Sequence, residues 1–166
     1  MRRIISAVLI FMITGLFSLS PSARAAEPLP ERDIPGVVDF TLKDINSNEI
    51  SMASYRAKKP VLLIFWASWC PYCLQGLRDL NQKYPELKRS GIEVLAINAG
   101  ESLYKAARVV NNYGLQFKAL LDPAEETVEY FQVVGIPLYV LVNKQGKVIS
   151  RDNFYPAGEI NKIIAQ

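Results

Sequence analysis

Apolar side chains recur along this chain with two periods, every second residue in short runs and every third or fourth in longer ones. The changes of period mark out the elements. Val38, Phe40 and Leu42 alternate with Asp39 and Thr41, and Ile50 and Met52 flank Ser51, so two short strands around the turn-rich segment 44–49 predict a hairpin. Val61 to Trp66 is an unbroken apolar run behind Lys58, Lys59 and Pro60, the pattern of a central strand buried on both faces. Leu74, Leu77, Leu80, Tyr84 and Leu87 then recur at helical spacing with Arg78, Asp79, Gln82 and Lys83 between them. That spacing predicts an amphipathic helix, which Pro85 should kink or end. Gly91 releases the chain into a second buried strand, Ile92 to Ile97. Leu103 to Tyr113 reads as a helix closed by Gly114, and Phe117 to Leu121 as a strand. Pro123 is expected to open a helix reaching Phe131, acidic at its start as the helix dipole favours. Leu138 to Val142 and Lys147 to Arg151 form a hairpin, and Ala157 to Ala165 a closing helix. Strands and helices alternate first, and two antiparallel strands and a helix follow, which is the pattern of an α/β fold.

The first residues change the charge picture. Arg2 and Arg3 precede an apolar run from Ile4 to about Leu19, and Ala23-Arg24-Ala25 follows, so residues 1–25 read as a secretory signal peptide cleaved after Ala25. The alternative is an uncleaved membrane anchor, although the run is short of the ~20 residues a comfortable span needs. Cleavage would carry away Arg2, Arg3 and Arg24 of the 19 basic side chains, leaving 16 against 16 acidic ones. The net charge of +3 therefore belongs to the leader, and no argument for nucleic acid follows from it. Residues 26–36, rich in proline and charge, read as an extended lead-in. One domain is expected over residues 37–166, long enough to bury a full core.

Only two cysteines occur, Cys70 and Cys73, and both lie in the run Phe65-Trp66-Ala67-Ser68-Trp69-Cys70-Pro71-Tyr72-Cys73 between a strand and a helix. In an exported chain with its own core, one local pair reads as an exchangeable couple rather than a structural framework. A zinc half-site is the competing reading, but the chain has no histidine and no third cysteine, so a shared dimer site would be needed. Lack of histidine also removes Ser-His and Cys-His hydrolase mechanisms. Pro71 suits the first helical position, which places Cys70 at the cap. There, unpaired backbone N–H groups stabilise a thiolate, so Cys70 is expected to be the exposed, low-pKa nucleophile. Cys73, three residues on and deeper, is expected to resolve the mixed disulfide. No cofactor is expected.

The run from Trp66 to Cys73, together with Gly135-Ile136-Pro137, resembles the thioredoxin superfamily. The N-terminal hairpin, the leader and the extra helix and strand between Leu103 and Leu121 are most similar to its exported TlpA/ResA-type branch. The resemblance implies a central mixed sheet flanked by helices, carrying the hairpin extension and the inserted helix and strand. It implies that Pro137 is a cis-proline facing the cysteines, and that the backbone of Ile136 binds an extended substrate segment; an ordinary trans proline is the alternative. Leu138 stands where such proteins often have threonine. Ile64 stands where thioredoxins carry a buried aspartate, and Gly76 where ResA-like members place a glutamate, so the usual proton acceptor for Cys73 is missing. Tyr72 could donate to the Cys70 thiolate or contact a partner, and Cys-Pro-Tyr-Cys also occurs in glutaredoxins, which the leader and hairpin do not suit. Trp66 and Trp69 read more as packing than as catalysis, with Trp69 the more exposed candidate, and Trp69, Pro71 and Tyr72 are expected to tune the motif. A peroxiredoxin would need proline and threonine where Leu63 and Ala67 stand.

Three functions compete. An exported thiol-disulfide oxidoreductase working as a reductant, on cytochrome c apoprotein thiols or metal-site cysteines and re-reduced by a membrane thiol transporter, leads. A DsbA-like oxidant of folding proteins is the nearest rival, and the lack of an inserted helical domain speaks against it. A binding or assembly module with little turnover is the third. Copper delivery in related folds uses a wider cysteine spacing and a histidine, and this chain has neither.

Overall fold

The computed structural model describes residues 38–165, so the expected leader and lead-in lie outside the described residues. Seven strands form one mixed sheet: β1 (Thr41–Asp44), β2 (Glu49–Ser51), β3 (Val61–Trp66), β4 (Glu93–Ala99), β5 (Lys118–Asp122), β6 (Leu138–Val142) and β7 (Val148–Asp152). Their order across the sheet is β2-β1-β5-β4-β3-β6-β7. β3, β4 and β5 run parallel, while β6 is antiparallel to β3, β7 to β6 and β1 to β5. The helices are α1 (Pro71–Arg89), α2 (Leu103–Tyr113), α3 (Glu126–Tyr130) and α4 (Ala157–Ile164), and a short 3-10 turn covers Met52–Tyr55.

The apolar run of β3 is wholly buried, and its alternation feeds two cores. Leu62, Ile64 and Trp66 pack with Leu77, Leu80, Tyr84 and Leu87 of α1 and Ile160 of α4. Val61, Leu63 and Phe65 face the other way, against Met52, Phe131 and Val140. The N-terminal hairpin forms as expected, with Leu42 opposite Ile50, and Asp44 closes its turn by accepting the N–H groups of Asn46 and Asn48. Its β1 strand extends the sheet beyond β5, the strand of the inserted helix-strand unit.

Two expectations are corrected. Pro85 does not end α1, which continues to Arg89; the proline is exposed and removes only the bond to the carbonyl four residues back, while Tyr84 and Leu87 on either side hold the helix in the core. Pro123 does not open α3. Glu125 takes the left-handed conformation at φ 58°, and Asp122 accepts the Val128 N–H at 2.9 Å, so the helix starts only at Glu126.

Candidate functional site

β3 ends at Trp66, and the chain turns through Ala67, Ser68 and Trp69 before α1 begins. Cys70 is the N-cap of α1 and Pro71 its first residue, where a missing N–H leaves no bond unmade. Cys70 and Cys73 are joined as a disulfide with their Cα atoms 5.2 Å apart. The Cys73 N–H donates to Cys70 Sγ at 3.1 Å, and the Leu74 N–H to the Cys70 carbonyl at 3.1 Å. The first turn of α1 carries no acidic residue, so nothing there offsets the partial positive charge of the helix start.

Across from the disulfide, the Ile136–Pro137 peptide bond is cis, and the Ile136 carbonyl oxygen lies 3.7 Å from Cys70 Sγ. This loop covers the sulfur. Cys70 was expected to be exposed, but the residue is only 4% exposed, while Cys73 is fully buried. Cys70 Sγ is therefore almost withdrawn from solvent behind the Ile136 loop.

Trp66 is sealed in the helix-side core. Trp69, expected to be the more exposed of the two though still a packing residue, is 70% exposed. The cause is the neighbouring residue. Glu101, two residues past β4, accepts the Ser68 N–H and the Ser68 hydroxyl, each at 2.6 Å, and the Asn98 side-chain amide at 2.9 Å. With Ser68 turned inward, Trp69 points out. Burial opposes the charge on Glu101, but the bonds from Ser68 and Asn98 and the nearby Lys105 ammonium outweigh it, and the carboxyl stays below its ordinary pKa. Neither Glu101 nor Asn98 was singled out in the sequence. The available signal was a polar Asn98 directly after the apolar run Val94 to Ile97, with an acid three residues later.

Tyr72 is largely exposed and lines a groove of about 610 Å³ that runs from Ile136 and Pro137 past Gly76 and Tyr139 to Phe154 and Tyr155. Its wall is mostly aromatic and apolar. Leu138, at the usual threonine position, is buried in the opposite core beneath the loop. Ile64 is fully buried, and Gly76 is held close to the Tyr139 hydroxyl. No cluster of three or more histidine, cysteine or acidic side chains suited to a metal occurs among the described residues.

Residues 35–151 match the model of the AhpC/TSA family. The thiol-disulfide oxidoreductase ResA of Geobacillus kaustophilus is 33% identical over 110 residues, 66% of this chain and 63% of that protein. ResA of Bacillus subtilis is 31% identical over 111 residues, 67% of this chain and 62% of its own length. The chain thus spans somewhat less than two thirds of the curated relatives it matches. A solved structure from Chlorobium tepidum, assigned as thiol:disulfide interchange protein DsbE, superposes with a TM-score of 0.68 at 27% identity, covering 78% of this chain and 92% of that one.

Proposed function

This chain belongs to the AhpC/TSA family of thioredoxin-fold proteins, and we propose that it exchanges protein thiols and disulfides through Cys70 and Cys73. The observation that carries the reading is one arrangement: a disulfide at the start of α1 whose N-cap sulfur faces the Ile136 carbonyl at the head of an apolar groove. In the reductive direction, the Cys70 thiolate attacks a substrate disulfide, forms the mixed disulfide and releases one substrate thiolate. The Cys73 thiolate then attacks Cys70 Sγ, the Cys70–Cys73 bond forms, and the second substrate sulfur leaves. Two electrons pass to the substrate. Ile136 and Pro137 hold the substrate segment at the head of the groove, and Trp69 and Tyr72 offer it exposed aromatic surface. Peroxide reduction is disfavoured because Leu63 and Ala67 stand where the peroxidatic pattern has proline and threonine.

The direction we favour is reduction, by likeness to ResA-type proteins. In this reading the protein is exported, with its leader cleaved near Ala25 or kept as an anchor. There it reduces cytochrome c apoprotein or metal-site thiols, and a membrane thiol transporter re-reduces it. The test is the reduction potential of the Cys70/Cys73 couple against glutathione, together with insulin reduction by wild type and Cys70→Ser. A potential at or below about −220 mV with activity lost in the variant is expected; a value near about −120 mV makes the protein an oxidant instead. Insulin reduction undiminished in Cys70→Ser overturns the exchange reading.

A further inference from the structure

The two positions that lack the usual proton acceptor, 64 and 76, converge on one side chain. Ile64 pairs directly with Tyr139 across β3 and β6. Gly76 faces the same residue from α1: a Cβ there would collide with the Tyr139 hydroxyl and would lie 3.8 Å from Ile64 Cδ1. Residues three apart on a helix share a face, and a helical side chain leans over the turn before its own Cα. The space over Gly76 therefore adjoins the turn that carries Cys73. Tyr139 and Cys73 belong to one buried cluster, and the Tyr139 ring is braced edge-on by Tyr155 at 6.3 Å.

Resting on the exchange reading, we propose that the Tyr139 hydroxyl, housed in the space that Gly76 leaves open, donates a hydrogen bond to the Cys73 thiolate, directly or across one water, during resolution. In that step the Cys73 thiol gives its proton to water and its thiolate attacks Cys70 Sγ, the bond from Cys70 to the substrate sulfur breaks and the substrate thiolate leaves, while Tyr139 keeps its own proton. Tyr139 acts as a donor and not as a base, because burial above all, and then the charges of Asp79 and Tyr155, push its pKa up to about 12. The ionisable groups around it are Tyr72, Asp79 and Lys83 from α1, Asp152 paired opposite it on β7, and Tyr155 from the approach to α4; β3 contributes only Ile64.

Tyr139→Phe removes the hydroxyl and keeps the ring. The pH midpoint of Cys73, followed by NMR of its labelled Cβ in the full chain carrying Cys70→Ser, should rise by about one unit in Tyr139→Phe, roughly tenfold less thiolate below the midpoint. An unchanged midpoint overturns the proposal. Gly76→Ala, which forces the hydroxyl aside, should raise the midpoint as well, and should add nothing further in the Tyr139→Phe background. A Gly76→Ala shift that persists in full without the hydroxyl also overturns it. The titration needs no turnover, so it separates failure here from failure of the exchange reading, which insulin reduction by the otherwise unaltered protein decides.

Discussion

At the scale of single residues, the two cysteines, Pro71 and Ile136-Pro137 were legible because their chemistry is local to a short motif, whereas Glu101 was not, because its partner Ser68 lies 33 residues away. Nothing in the sequence ties those two positions together until the parallel pairing of β3 with β4 sets Trp66 beside Asn98 and brings the strand ends level. The tie has a pH signature. Although burial works against its charge, the Glu101 carboxyl is held below its ordinary value of 4.5 by its bonds to Ser68 and Asn98 and the charge of Lys105. A carboxyl depressed in the folded state stabilises the protein above the unfolded value, and that contribution fades as pH falls through the folded value. Glu101→Gln should therefore lower stability by about 1–3 kcal/mol at pH 7, and the gap to wild type should be smaller at a pH well below 4.5. Urea unfolding at both pH values checks this, and an equal gap at the two would contradict it. Trp69 is the converse lesson. Its residue type suggested burial, and the inward turn of Ser68 decided otherwise.

At the scale of elements, periodicity located all seven strands and four helices, and it erred where proline was read as punctuation. β3 matches the apolar run residue for residue, and α2 closes at Gly114, whose φ of 57° suits the left-handed cap. Pro85 misled because the apolar stripe of α1 continues past it through Leu87, and tertiary packing outweighs one lost hydrogen bond. Because Pro85 is exposed, Pro85→Ala gives up little packing and restores a donor to the carbonyl of Asn81. The variant should be more stable by about 1–3 kcal/mol, read from the denaturation midpoint; a loss of stability would show that the proline shapes the turn it sits in. Pro123 misled for a different reason. The acid before it, Asp122, is buried and caps the helix from a strand end, a role that only the folded sheet defines.

At the scale of the whole molecule, the sheet has a chemical end and an anchoring end. β3 and β4 begin level at Val61 and Glu93 and finish level at Trp66 and Asn98, so the disulfide and the Glu93 cluster stand roughly 17 Å apart along the strands. Glu93 pairs with Lys59 at 3.0 Å and Lys118 at 2.7 Å, and the Tyr55 ring lies 5.9 Å from each ammonium. This network ties the segment after the N-terminal hairpin to the base of β4 and β5. Glu93→Gln should lower stability by roughly 1–2 kcal/mol and leave the Cys70/Cys73 potential where it was, measured on the same sample by denaturation and by glutathione equilibration. A shifted potential would mean that the two ends communicate. Across that same chemical end, the chain's two tryptophans stand three positions apart at opposite extremes of solvent, Trp66 sealed and Trp69 open. Only one of them meets a quencher dissolved in the buffer. The protein thus carries its own lamp beside the Ile136 loop, and a partner settling there would shield that light without any dye having been attached.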